Sequence, residues 1–89
     1  LSLYHVQYHP RAKREIDALP KAIGDRIVVA IDGLVDNPRP RTARKIVGRE
    51  NVYRIRVGRY QVIYEVNDDQ RIVFITRVRI RTETTYRGL

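Results

Sequence analysis

The chain has 89 residues, with 18 Lys and Arg against 10 Asp and Glu for a formal net charge of +8, and no cysteine or methionine. That length suits one domain spanning residues 1–89, able to bury only roughly 60 to 65% of its unfolded surface, and the missing cysteines exclude a disulfide framework and a thiolate metal site. No apolar run approaches the roughly 20 residues needed to cross a bilayer and no signal-peptide pattern opens the chain, so a soluble cytoplasmic protein is expected, its start lost or processed since even position 1 is not Met.

The charge is segregated. Residues 1–38 carry five basic and five acidic side chains, whereas residues 39–89 carry thirteen basic and five acidic ones, so the whole excess lies in the second half. Concentration of that kind points to a surface for a polyanion.

In chain order, residues 1–9 read as a strand, with Tyr4, Val6 and Tyr8 facing inward and His5, Gln7 and His9 outward. His5 and His9 lack a third ligand nearby and read as solvated. Pro10 fits the first turn of a helix, and Ala12, Ile16 and Leu19 recur at spacings of four and three up to Pro20. A second helix follows, its stripe formed by Ile23, Ile27, Ala30, Ile31, Leu34 and Val35, and it stops before Asn37-Pro38. The charged residues of both helices balance and are expected to face solvent.

Residues 39–48 form a basic loop with Arg39, Arg41, Arg44 and Lys45, ending in a short extended piece at 45–47. Residues 52–64 then read VYRIRVGRYQVIY. Tyr53, Ile55 and Val57 alternate with Arg54 and Arg56, Gly58-Arg59 suits a two-residue type II′ turn, and Tyr60, Val62, Tyr64 and Val66 alternate with Gln61, Ile63 and Glu65. The last strand, residues 71–81, places Ile72, Phe74, Thr76, Val78 and Ile80 on one side and Val73, Ile75, Arg77, Arg79 and Arg81 on the other; its first half, apolar on both faces, should be central. Thr82 could cap a short helical turn carrying Glu83 and Tyr86. The expected fold is α+β: an N-terminal strand, a two-helix hairpin, then a three-stranded antiparallel meander, in one sheet with the helices on one face.

Arginines from two strands therefore converge on the other face. Guanidiniums bind phosphate in bidentate fashion, so Arg54, Arg56, Arg77, Arg79 and Arg81, with Arg59 at the rim, suit a phosphodiester. If that diester is RNA, its own 2′-hydroxyl can attack, and the protein need only move protons and stabilise the phosphorane-like state. Arginine holds its proton too tightly to serve as a base. Tyr86 is the nearest acid, base or stacking platform, with Glu83 a weaker candidate. The acids of this half do not group as metal ligands, and no cofactor is called for.

The run HPRAKREIDALP, the second helix ending in VDNPRP, then RKIVG, VYRIRVGRYQVIYEV and the closing TTYRG resemble the RelE/ParE superfamily of toxins from toxin-antitoxin pairs. The resemblance spans essentially the whole chain. It implies a cognate acidic antitoxin of the RelB kind and, on the RelE-like branch, metal-free cleavage of mRNA on the ribosome. Carried over by position, Arg54, Arg56, Arg81 and Tyr86 are the catalytic set and Gln61 falls at a phosphate-contacting position, while the basic loop and arginine face add Arg44, Lys45, Arg59, Arg77 and Arg79 as expected RNA contacts. Gln61 stands where RelE members usually have an arginine, and Ile80 where His or Lys is common. The ParE-like branch, which inhibits DNA gyrase without catalysis, is the alternative.

Overall fold

A computed structural model describes residues 3–81. His9 is extended, at φ −63° and ψ 140°, and its Nδ1 accepts the Arg11 N–H at 3.0 Å; helix α1 (Pro10–Asp17) starts there with proline in its first turn. His9 is thus a helix cap rather than a purely solvated strand residue. Strand β1 (His5–Tyr8) leads into it. Helix α2 (Lys21–Asp32) begins after Pro20, tightens into a 3-10 turn at Gly33–Val35 and ends ahead of Asn37-Pro38, where the proline bars further helix.

The remaining strands are β2 (Arg44–Lys45), β3 (Val52–Val57), β4 (Tyr60–Asn67) and β5 (Ile72–Ile80). They form one five-stranded sheet in the order β1-β5-β4-β3-β2. Two features depart from the expected meander. β1 pairs parallel to β5, Val6 opposite Val73 and Tyr8 opposite Ile75, so the sheet is mixed. Residues 44–45 add a short edge strand, earlier in the chain than the extended piece expected at 45–47, with Arg44 opposite Arg54 and Lys45 opposite Tyr53. The β3–β4 hairpin turns as expected, with Gly58 in the left-handed region at φ 59°.

One sheet face carries the core. Ala12 and Ile16 of α1 and Ile27, Ile31 and Leu34 of the second helical segment pack on Ile55, Val62, Tyr64, Val66, Val73, Ile75 and Val78. Full burial of each such aliphatic side chain is worth about 1.5 to 3 kcal/mol. Tyr64 is completely covered yet satisfied, because its hydroxyl donates to the Pro38 carbonyl at 2.7 Å.

The inward set of β5 requires a correction to a single alternating phase. Tyr64 pairs with Ile75 but Ile63 pairs with Arg77, leaving Thr76 as an extra residue. This bulge moves the side-chain phase by one. Val73 and Ile75 before it share the core face with Val78 after it, while Ile72 and Phe74 fall on the same face as Arg77 and Arg79. The physical reason is that both faces of the first half are apolar, so either phase can be buried.

Beyond Tyr8, β1 no longer covers the edge of β5, and α1 takes over. Arg11 Nε and Nη2 both donate to the Thr76 carbonyl at 3.3 Å, and Glu15 Oε1 accepts the Val78 N–H at 2.8 Å. These side chains, expected in solvent, instead satisfy backbone groups that an open edge would leave bare.

At the other end of the sheet, Asp68 gathers separate segments. Its carboxylate accepts from Arg39 at 2.8 and 3.1 Å and from the Tyr4 hydroxyl at 2.6 Å, while Arg39 Nε donates to the Tyr53 hydroxyl at 2.9 Å. These bonds hold the Asp68 carboxyl down to about 2, the Arg39 bond contributing most.

Candidate functional site

The face of the sheet away from the core holds a cross-strand array. Directly opposed residues of a sheet share a face with Cβ atoms roughly 4.5 to 5.5 Å apart. One row runs Arg44, Arg54, Ile63, Arg77 across four strands, and the next runs Arg56, Gln61, Arg79 across three. Alternation carries Arg81 to the same side as Arg79, and the Arg81 N–H donates to the Arg59 carbonyl at 2.6 Å, tying the end of β5 to the hairpin turn. Arg56, Arg79 and Arg81 are exposed and Arg54 is half-buried.

Gln61 is only 5% exposed, set between Arg56 and Arg79. Its neutral amide keeps a third positive charge out of that row, where like charges directly opposed would destabilise the sheet. The Arg44 guanidinium bends back to donate to the carbonyls of Arg41 and Ala43 at 2.8 and 2.9 Å.

Arg77 is held differently. Its Nε and Nη2 donate to Glu15 Oε2 at 3.1 and 2.9 Å. Burial pushes the Glu15 carboxyl up, but the Val78 N–H and the Arg77 guanidinium outweigh it and leave the group below the usual carboxylate range. Arg77 therefore enters the array as a fixed cation with part of its charge already answered.

Not every candidate from the sequence reaches this face. Lys45 is opposite Tyr53, whose ring stacks on buried Tyr64 at 6.0 Å, so Lys45 projects to the helix side. Tyr86 and Glu83 lie outside the described residues. Among the described residues, no three His, Cys, Asp or Glu side chains are grouped to hold a metal ion, and no helix is long and apolar enough to cross a membrane.

Sequence reasoning passed over Arg11, Glu15 and Arg49. Arg11 and Glu15 are four apart, next to the buried pair Ala12 and Ile16, so the available signal was a charged pair bordering the apolar stripe of a short helix. Arg49, in the loop before β3, joins Arg11 and Arg77 around a pocket in this face.

A family profile described as the ParE toxin of type II toxin-antitoxin systems, parDE, matches residues 6–84. The chain belongs to the RelE/ParE toxin family. A Methanocaldococcus jannaschii chain that goes by the name toxin RelE1 is 30% identical over 88 residues, covering 96% of this chain and 97% of its own. Among solved structures, the archaeal RelE-RelB complex from Pyrococcus horikoshii contains a chain with a TM-score of 0.81 and 31% identity, covering 91% of this toxin and 98% of that chain. The RelBE2 toxin-antitoxin complex from Mycobacterium tuberculosis gives a TM-score of 0.75 and 29% identity over 89% of this toxin and 99% of that chain. The toxin is RelE-like, and homologues of it have been crystallised with RelB antitoxins.

Proposed function

We propose that this toxin is a ribosome-dependent mRNA endonuclease, kept silent by an acidic RelB-like antitoxin. The observation that carries the reading is the pair of cross-strand rows, which set Arg54, Arg56 and Arg79 on one face with Arg81 beside them. Guanidiniums so arranged hold a phosphodiester from several directions, with charge-assisted bonds worth about 1.5 to 3 kcal/mol each when shielded.

In the proposed reaction the 2′-hydroxyl of the substrate gives its proton to water and attacks the adjacent phosphorus, the bond from phosphorus to the 5′-oxygen of the next nucleotide breaks, and the products are a 2′,3′-cyclic phosphate and a 5′-hydroxyl end. Arg54, Arg56 and Arg81 stabilise the charge that builds on the phosphorane-like state, a role suited to groups that never give up their protons at neutral pH. Tyr86 stacks on the substrate or protonates the leaving oxygen. Arg59, Arg79, Arg44 and Gln61 steer the neighbouring phosphates and ribose. The ribosome presents the message in an extended, single-stranded form, which a shallow sheet face can meet.

A net charge of +8 favours an acidic partner. The RelB chains named in the related complexes supply the precedent.

One observation favours a second reading. The matching profile is that of the ParE toxins, whose resemblance implies gyrase inhibition by binding alone. Purified toxin added to a translating extract separates the two. New 5′ ends inside the message, absent when ribosomes are omitted, support the nuclease; intact message together with lost gyrase supercoiling supports the inhibitor.

A further inference from the structure

Beside the Arg54 row lies a pocket of about 290 Å³ whose floor is apolar and whose walls are charged. Ile46, Val52 and Ile63 form the floor, and Arg11, Arg49 and Arg77 stand around it. Ile63 is the direct strand partner of Arg54, so the pocket begins one strand away from the proposed scissile phosphate.

Two of the three cationic walls are fixed. Arg77 is held by Glu15 at 2.9 Å, and Arg11 is held by the Thr76 carbonyl at 3.3 Å. Arginines meant only to gather counter-ions have no need of such restraint, nor of an apolar floor. Glu65, also on the rim, would repel a phosphate placed inside. A flat, neutral, polarizable group with phosphates on either side satisfies all of these features. Guanidinium faces and aliphatic side chains both stack on such rings.

The geometry points to a subsite for the nucleobase of a nucleotide flanking the cleaved bond, with Ile63, Val52 and Ile46 beneath the ring and the held arginines beside it. This inference rests on the nucleic-acid reading above and deepens it, since it gives the toxin a contact that senses bases in addition to backbone. Preorganised walls lower the ordering cost of that contact.

The test compares two ligands of equal length and charge: a single-stranded oligodeoxynucleotide, which has no 2′-hydroxyl to react, and a fully abasic phosphodiester oligomer. Titration of the full chain should show the base-bearing oligomer bound roughly tenfold more tightly, within the range typical of one stacked base. Ile63→Thr keeps a β-branched residue in the strand but removes apolar floor, and should erase most of that preference while abasic binding stays within about twofold, which also reports that the variant is folded. Should Ile63→Thr not fold, Ile46→Ala, altered in the loop alone, must show the same loss of preference. Equal affinity of the unaltered toxin for both oligomers overturns the base subsite alone. Equal weakening of both by the folded variant overturns it as well, as does failure to bind either ligand, whereas the nuclease reading falls only if message on ribosomes stays uncut.

Discussion

The Glu15 carboxylate accepts two bonds from the Arg77 guanidinium, at 3.1 and 2.9 Å, and its second oxygen takes the Val78 N–H at 2.8 Å. This contact sits where β5 slips its register against β4, between Ile63 and Tyr64. A helix side chain thus pins the bulge that puts Arg77, Arg79 and Arg81 on the face opposite the core.

Glu15→Ala leaves a half-buried guanidinium and an edge N–H without that carboxylate. The expected loss is about 2 to 3 kcal/mol of unfolding free energy, seen as a lower urea midpoint at unchanged slope. A loss below about 0.5 kcal/mol would show that water replaces the carboxylate without penalty.

Acid should weaken the fold through Asp68. Its folded pKa, about 2, is below the ordinary carboxylate value, so the stability it contributes is present above about pH 4 and lost as pH falls through about 2. Urea midpoints measured across that window should fall in the unaltered toxin and fall less in Asp68→Asn. Parallel curves would remove the Arg39-Asp68-Tyr4 cluster as a source of the acid sensitivity.

Gly24 lies within α2, and a Cβ built there would meet Ile16 O at 3.6 Å and Ile16 Cγ2 at 3.8 Å, ordinary contact distances. Gly24→Ala should therefore stabilise the toxin by roughly 0.4 to 1 kcal/mol, chiefly by restricting the unfolded chain. Thermal unfolding checks the sign, and a lowered Tm would mean that the two helices cannot accept the methyl group.

Arg81→Ala should abolish growth arrest while antitoxin binding persists, because one cation is lost from a broad basic surface. Lys45→Ala should leave arrest intact, since its side chain is on the helix side of the sheet. Co-purification with antitoxin and plating after induction read both properties. Arrest at full strength in Arg81→Ala would take that residue out of the active set.

Much of this arrangement was legible in residues that obey one local rule. Arg54 and Arg56 alternate with apolar neighbours and fall on the face away from the core, and Gly58 sits where the turn needs a positive φ. Positions governed by non-local pairing were not legible. Ile72 to Ile75 are apolar on both sides, so nothing local chose between Val73 with Ile75 and Ile72 with Phe74 as the inward pair; the register against β4 and the parallel pairing with β1 decide it. Likewise Glu15 looks like any exposed helix charge until β5 arrives beside it, more than sixty residues later in the chain. Lys45 and Arg44 are adjacent and so face opposite ways in any strand, but only the register with β3 decides that Arg44 and not Lys45 shares the face of Arg54.

In the proposed reaction the arginine face cuts RNA by using the hydroxyl of the substrate itself. The most direct test is primer extension on a ribosome-bound message carrying a single 2′-deoxy nucleotide immediately 5′ to a mapped cleavage position. The stop at that position should vanish while stops elsewhere remain. Continued cutting at the deoxy position, or no cutting of the all-ribose message on ribosomes, would contradict it.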